Sequence, residues 1–292
     1  MTPTQRRQAL RSILAGGICV HPASVYDPMS ARMADELGFE TAMFAGSVAS
    51  MTVLGAPDVT LITLSEFTEQ IRRICRAADV PLIVDADHGY GNALSVQRTV
   101  EELETAGVAG LTIEDTRLPR VYGQGATAEL ISIEEGVGKM KAALSARVDP
   151  SLVIIGRTSA PAISGADDTL ERCKAYRDAG VDAIFVVGFS DRDGLEDFCR
   201  AVGGPVILGN VGTKFEDAAF LARIGIRIAL QGHLPHLASV HAAYATMKAL
   251  RDGTPASEIA KSFPRDLADR LTRREHYQQA FRTFLGAPQA DK

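Results

Sequence analysis

The 292-residue chain contains no tryptophan, and only 6% of its residues are aromatic, so any core must be built mainly from aliphatic side chains. It has four cysteines, Cys19, Cys75, Cys173 and Cys199. These are far apart, with no C-x-x-C pair, which excludes a disulfide scaffold and a zinc ribbon and reads as reduced cysteines with packing roles. No apolar run reaches the roughly 20 residues that a membrane-spanning helix needs. The stretch Met1 to Arg11 lacks the apolar segment of a signal peptide, so the cytoplasm is the expected compartment. There is no polybasic block either. With 31 basic against 36 acidic residues and a net charge of -5, neither nucleic acid nor an anionic membrane is the expected partner.

What the chain does have is 46% hydrophobic residues dealt out in short runs. Apolar stretches at 18–20, 41–44, 82–84, 110–113, 152–155, 183–187, 205–208 and 227–230 read as strands, many of them rich in Val and Ile. Between them lie segments with helical spacing, at 30–37, 64–78, 94–106, 133–146, 168–179 and 195–202. Eight strands alternating with helices imply right-handed βαβ units and a parallel sheet, and eight repeats close into a (β/α)8 barrel; an open doubly wound sheet is the structural alternative. Glycines at 38, 107, 180 and 225 end helices just before strands, where a left-handed cap is wanted. Further helices are expected at 237–250 and 265–284. The chain thus reads as one barrel domain over 1–292, with 253–292 as a C-terminal helical extension of the kind that packs on a neighbouring subunit. A homo-oligomer is expected.

The most informative stretch is Asp85-Ala86-Asp87-His88-Gly89, at the exit of the run Pro81-Leu82-Ile83-Val84. Side chains alternate along a strand, so Asp85 and Asp87 share a face. Glu114, followed by Asp115, ends the next run. Such carboxylates suit a hard divalent cation, Mg²⁺ or Mn²⁺, which prefers oxygen ligands and keeps several waters, so that one carboxylate can bind it directly while a neighbour orders a bound water. For a lone Asp at a strand exit, helix capping or loop solvation would be the simpler reading, but here the pattern recurs on other strands.

Barrel active sites form at the C-terminal ends of the strands. In this chain those ends offer Gly46 and Ser47, Asp85 with Asp87, Glu114, Arg157, Gly188, Asn210 and His233. The set combines metal-binding carboxylates with a guanidinium that can grip a carboxylate and small donors for an oxyanion, so the expected substrate is a small anion. Arg157 could equally be a structural partner of Glu114 or Asp87, and can serve both roles. Taken singly, Gly46-Ser47 and Asn210 could be turn residues and His233 a packing histidine. Gly89-Tyr90-Gly91-Asn92 lacks the Lys and Ser/Thr of a phosphate loop and reads as a turn.

Leu54-Gly55-Ala56-Pro57-Asp58, Val84-Asp85-Ala86-Asp87-His88-Gly89-Tyr90-Gly91, Ala109-Gly110-Leu111-Thr112-Ile113-Glu114-Asp115 and Gly156-Arg157-Thr158 together resemble the isocitrate lyase and phosphoenolpyruvate mutase superfamily, over about residues 11–250. That resemblance implies an α/β barrel, often a homotetramer that exchanges a helix between subunits, with Mg²⁺ beside an α-keto or α-hydroxy carboxylate. Lyases of the superfamily carry a catalytic cysteine in the loop after the fourth strand, whereas residues 115–128 here contain none. They also place a glutamate after the sixth strand, where this chain has Phe185-Val186-Val187-Gly188.

The chain is most similar to the branch that decarboxylates oxaloacetate. What this implies is Asp85 as direct metal ligand, Asp87 and Glu114 ordering its waters, and Arg157 with Gly46-Ser47 holding the substrate's carboxylate and ketone. Asn210 and His233 would face the carboxylate that leaves. The substrate class is then an α-keto dicarboxylate, and Arg157 and His233 are the catalytic pair. Two other readings stay open: a carbon-carbon lyase acting on a substituted malate, or a phosphonopyruvate-cleaving enzyme; and a catalytically silent metabolite-binding barrel.

Overall fold

A computed structural model describes residues 1–123, 125, 128–264 and 266–286. Eight parallel strands run in sequence order through one curled sheet: β1 (Ala23–Ser24), β2 (Ala42–Phe44), β3 (Leu82–Asp85), β4 (Gly110–Glu114), β5 (Val153–Thr158), β6 (Ala183–Val186), β7 (Val206–Leu208) and β8 (Ile226–Ala229). Helices alternate with them, giving the (β/α)8 arrangement expected from the alternation of patterns.

The first stave differs from its sequence reading, which placed a strand at 18–20. Val20 instead bridges to Ile228, with its N–H donating to Arg227 O at 2.9 Å and its carbonyl accepting from Ala229 at 3.0 Å, so this short segment joins the last strand and closes the sheet. Pro22, which has no N–H to donate, separates it from β1, which pairs on the other side with β2. The two edges of the closure therefore come from opposite sides of one proline.

Alternation along the strands divides the apolar residues into two groups. Outward residues such as Val84, Leu111, Ile113 and Ile154 meet the helix layer. Met43, Ile83, Val153, Ile155, Phe185, Ile207 and Ile228 fill the barrel interior, and Leu10 and Leu14 of the N-terminal helix Pro3–Ala15 pack with them. Continuing the inward period by two residues puts Asp85 above Ile83, Glu114 above Thr112 and Arg157 above Ile155. The interior turns from apolar to charged at its C-terminal end.

Several helix starts follow from local chemistry. Thr63 caps Leu64–Ala77 in a capping box with Glu66, Asn92 caps Ala93–Ala106 and Ser132 caps Ile133–Ala146. The helices end near the predicted glycines, and Gly107 and Gly180 have φ of 101° and 105°, a region that a side chain would strain.

Two compact units divide the chain, one over Met1–His236 and a second beginning at Leu237. In the second, the continuous helix expected from 265 to 284 is broken. It forms Leu267–Leu271 and Arg274–Leu285, separated by Arg273 in a left-handed conformation, while Arg265 lies outside the described residues. Among the described residues no helix is long and apolar enough to cross a membrane.

Candidate active site

Strand register explains the central contacts. Asp85 is level with Thr112, and the Thr112 hydroxyl donates to Asp85 Oδ1 at 3.0 Å. One step up, the ladder carries past the end of β3: the Glu114 N–H donates to Asp87 O at 2.8 Å. Glu114 is in turn level with Arg157 on β5. Arg157 donates through Nη1 to Asp85 Oδ2, and its Nε lies 3.3 Å from Glu114 Oε2, close enough for an ion pair but not aligned for a hydrogen bond. Below it, the guanidinium sits 5.2 Å from the centre of the Phe185 ring, a cation–π contact that helps hold it upright. The structural partners of Arg157 are therefore Asp85 and Glu114, not Asp87.

Asp87 is positioned by its backbone. Its φ of 47° is unusual for a residue with a side chain, and its carboxylate lies against Gly46, where a Cβ would approach Asp87 Oδ1 to 2.7 Å. Only a glycine at the start of the short helix Gly46–Ala49 leaves room for that carboxylate.

These groups face a cavity of about 610 Å³ lined by Asp85, Asp87, Glu114, Arg157 and Ser159 from the strand ends and by Asp58 from the long β2-to-β3 connection, with Thr116, Leu118, Pro119, Arg120 and Ala128 from the flap after β4. The flap is pinned at its base: Thr116 pairs antiparallel with Leu130, and Arg117 N–H donates to Glu129 O at 2.8 Å. Asp58 was legible only as part of a motif, with no role drawn from it. It follows the left-handed Gly55 and Pro57 in a segment far from the strand ends in sequence, and only the folded chain brings it into the cavity.

The electrostatics are those of crowded anions. Burial pushes Asp87 up to about 8, and repulsion from Asp85, Glu114 and Asp58 adds to the shift, with Arg157 opposing it. Glu114 is raised by burial, against the pull of Arg157. Asp58 is raised by burial and by Asp85. Four carboxylates thus share one guanidinium, and a bound divalent cation would relieve the excess negative charge. Among the described residues no three or more His, Cys, Asp or Glu side chains are gathered closely enough to hold a metal ion by themselves. The oxygen-only donor set of Asp85, Asp87 and Glu114 fits a hard cation that keeps several waters.

Asp115, next to Glu114, does not join this set. It points into the helix layer, where it accepts from Tyr176 Oη at 2.7 Å and from Arg172 Nη1 at 3.3 Å. Alternation sends the two neighbouring acids to opposite faces. His233 follows β8 and is half-buried; its Nδ1 lies 2.9 Å from Ser24 Oγ on β1. Burial lowers its pKa, and the charges of Asp85 and Asp58 pull the other way, which places it within the field of the same carboxylates. Ser47 and Asn210 also stand at strand exits, Ser47 half-buried beside Gly46 and Asn210 exposed with a φ of 55°. None of these three, His233 included, lines the cavity among the described residues.

The phosphoenolpyruvate phosphomutase family model matches residues 10–251. The chain belongs to this family. Among its relatives, an oxaloacetate decarboxylase of Bradyrhizobium diazoefficiens is 55% identical over 268 residues, spanning 92% of this chain and 93% of the relative. An oxaloacetate decarboxylase of Rhodopseudomonas palustris strain BisB18 is 52% identical over 286 residues, 98% of this chain and 99% of the relative. A crystal structure of phosphonopyruvate hydrolase in complex with oxalate and Mg²⁺ superposes with a TM-score of 0.84 at 28% identity, covering 98% of this chain and all of that one. The phosphoenolpyruvate phosphomutase match takes in every strand of the barrel and all four cavity carboxylates.

Proposed function

We propose that this chain is a lyase that converts oxaloacetate to pyruvate and CO₂ and that it uses Mg²⁺, with Mn²⁺ able to substitute. The observation that carries this reading is the cavity itself: carboxylates and the Arg157 guanidinium face it from the barrel, with Arg120 on the flap, and the flap offers no thiol to act as acid or base. Relatives of more than half identity over nearly the whole chain are oxaloacetate decarboxylases, which supports the same substrate.

Asp85 would hold the cation directly, and Asp87 and Glu114 would order its waters. Once bound, the cation supplies positive charge where negative charge develops on the ketone oxygen as CO₂ departs. Arg157 has donors beyond the one that Asp85 accepts, and these would grip the substrate's C1 carboxylate and ketone together with Gly46 and Ser47 at the start of their short helix. His233 and Asn210 would face the C4 carboxylate. The C3–C4 bond breaks, its electron pair passes towards the ketone, CO₂ leaves, and a proton added at C3 completes pyruvate. No nucleophile is consumed and no organic cofactor is required. Burial disfavours the charged form of His233, so the ring would add less positive charge to hold the leaving carboxylate in its anionic form.

We further propose a cytoplasmic homotetramer of one barrel domain over 1–292, with 253–292 as its helical extension. Leu237, Val240, Tyr244 and Met247 lie exposed at helical spacing in the second unit, which supports an oligomer. A panel of 2-keto and 2-hydroxy dicarboxylic acids with Mg²⁺, monitored for pyruvate and CO₂, tests the function. Release of both from oxaloacetate alone is the expected result. Cleavage of a substituted malate or of phosphonopyruvate instead would identify the other lyase chemistry, and binding without turnover would identify a silent barrel.

A further inference from the structure

Three successive carbonyls of the loop after β3 are each held by a different element. Asp87 O accepts from Glu114 N at 2.8 Å, His88 O from Lys139 Nζ at 2.9 Å and Gly89 O from Thr99 Oγ1 at 3.0 Å. The first is a continuation of the strand ladder, and the third is a hydroxyl that also donates to Ser95 O. The second is different in kind. Lys139 belongs to the helix Ile133–Ala146, is only 3% exposed, and carries its charge in the field of Glu135 one turn earlier on the same helix and of Glu114 and Asp115. Burying an ammonium costs far more than burying a methionine of similar length, so packing alone does not account for a lysine here. What the ammonium adds is a donor to a carbonyl one residue from Asp87.

We propose that Lys139 is a positioning residue for the cation site: by fixing the His88 carbonyl it keeps Asp87 in its left-handed conformation, with the carboxylate against Gly46 and beside Asp85 and Glu114. This rests on the assignment of those three acids to the cation proposed above. The chain needs such a clamp because Asp87 sits outside β3 and in a backbone region that its side chain disfavours. Without that support, the loop can relax and carry the carboxylate away.

The test is Mn²⁺ binding by calorimetry to metal-stripped protein, in wild type and Lys139→Met, alongside oxaloacetate kinetics and thermal unfolding. Loss of a residue that orients metal ligands typically weakens binding by about 10- to 100-fold, and that weakening is expected here, with kcat reduced at saturating Mn²⁺ and KM changed by less. Unchanged Mn²⁺ affinity with a lowered Tm would overturn the proposal in favour of packing. Tighter Mn²⁺ binding would overturn it too, since Lys139 would then act only as a repelling charge. Thr99→Val keeps the side-chain volume and loosens the neighbouring carbonyl, so it should weaken Mn²⁺ in the same direction by a smaller factor. If Lys139→Met does not fold, Thr99→Val decides, and wild-type affinity there refutes control of Asp87 through this loop. Mn²⁺ binding is read without oxaloacetate. Wild type that binds Mn²⁺ yet releases no CO₂ therefore fails the functional reading alone, and wild type that binds no Mn²⁺ fails both.

Discussion

Arg157 donates through Nη1 to Asp85 Oδ2 while Thr112 holds the other oxygen of the same carboxylate at 3.0 Å. The acid proposed to bind the cation is thus oriented before any ligand arrives, and the cation and Arg157 share its charge. Because Arg157 has two roles, its removal should show twice. Arg157→Ala is expected to weaken oxalate inhibition by roughly 10- to 150-fold, from charge-assisted hydrogen bonds of about 1.5–3 kcal/mol. It should also destabilise the metal-free fold by about 3–5 kcal/mol, since Asp85 and Glu114 stay buried without their counter-charge. Asp85→Asn should instead keep the fold and lose Mg²⁺-dependent turnover. Inhibition constants together with chemical denaturation, with and without Mg²⁺, check both; Asp85→Asn activity within a few-fold of wild type would refute its assignment.

The raised Asp87 makes the metal-free protein sensitive to pH in a defined direction. Its carboxyl moves from 3.8 to about 8 in the folded chain. Between those values the native state holds a proton that the unfolded state has released, so this group's contribution to stability falls as pH rises and is lost above about 8. Asp87→Asn removes the titration. The difference in Tm between metal-free wild type and metal-free Asp87→Asn should therefore shift steadily against wild type from pH 4 to 8, and saturating Mg²⁺ should flatten it. A flat difference without metal would mean that Asp87 titrates normally.

His233 is proposed to serve the carboxylate that leaves, which oxalate lacks. His233→Ala should lower kcat/KM for oxaloacetate while leaving oxalate inhibition within a few-fold of wild type. Ser24→Ala, which frees the ring from its 2.9 Å partner, should show the same pattern at smaller size. If His233→Ala weakens oxalate as much as Arg157→Ala does, His233 belongs with the groups that hold the ketone.

The flap contributes Arg120 to the cavity and leaves Tyr122 fully exposed. If it acts by covering the site and excluding water, Arg120→Ala and Tyr122→Ala should slow turnover without abolishing it. Complete loss with retained oxalate binding would reveal a catalytic group on the flap.

The sequence by itself determined the architecture and the charged residues that stand at the strand ends. Alternating strand and helix patterns specify the barrel because each period, 2 or 3.6, buries one face only in one kind of element. The same period of 2 carries Ile83 to Asp85 and Ile155 to Arg157, so the acids and the guanidinium at the strand ends were legible as a set. Tertiary structure alone decided the rest. Which oxygen Arg157 takes depends on the register between β3, β4 and β5, and the first stave is split because closure must satisfy two neighbours on either side of Pro22. Asp115 looked like a partner of Glu114 until strand pleating turned it to Tyr176. Asp58 and Lys139 carry no local signal of their positions: each is distant in sequence from the carboxylates it serves, and only the packing of loop and helix against the barrel's C-terminal end brings them there.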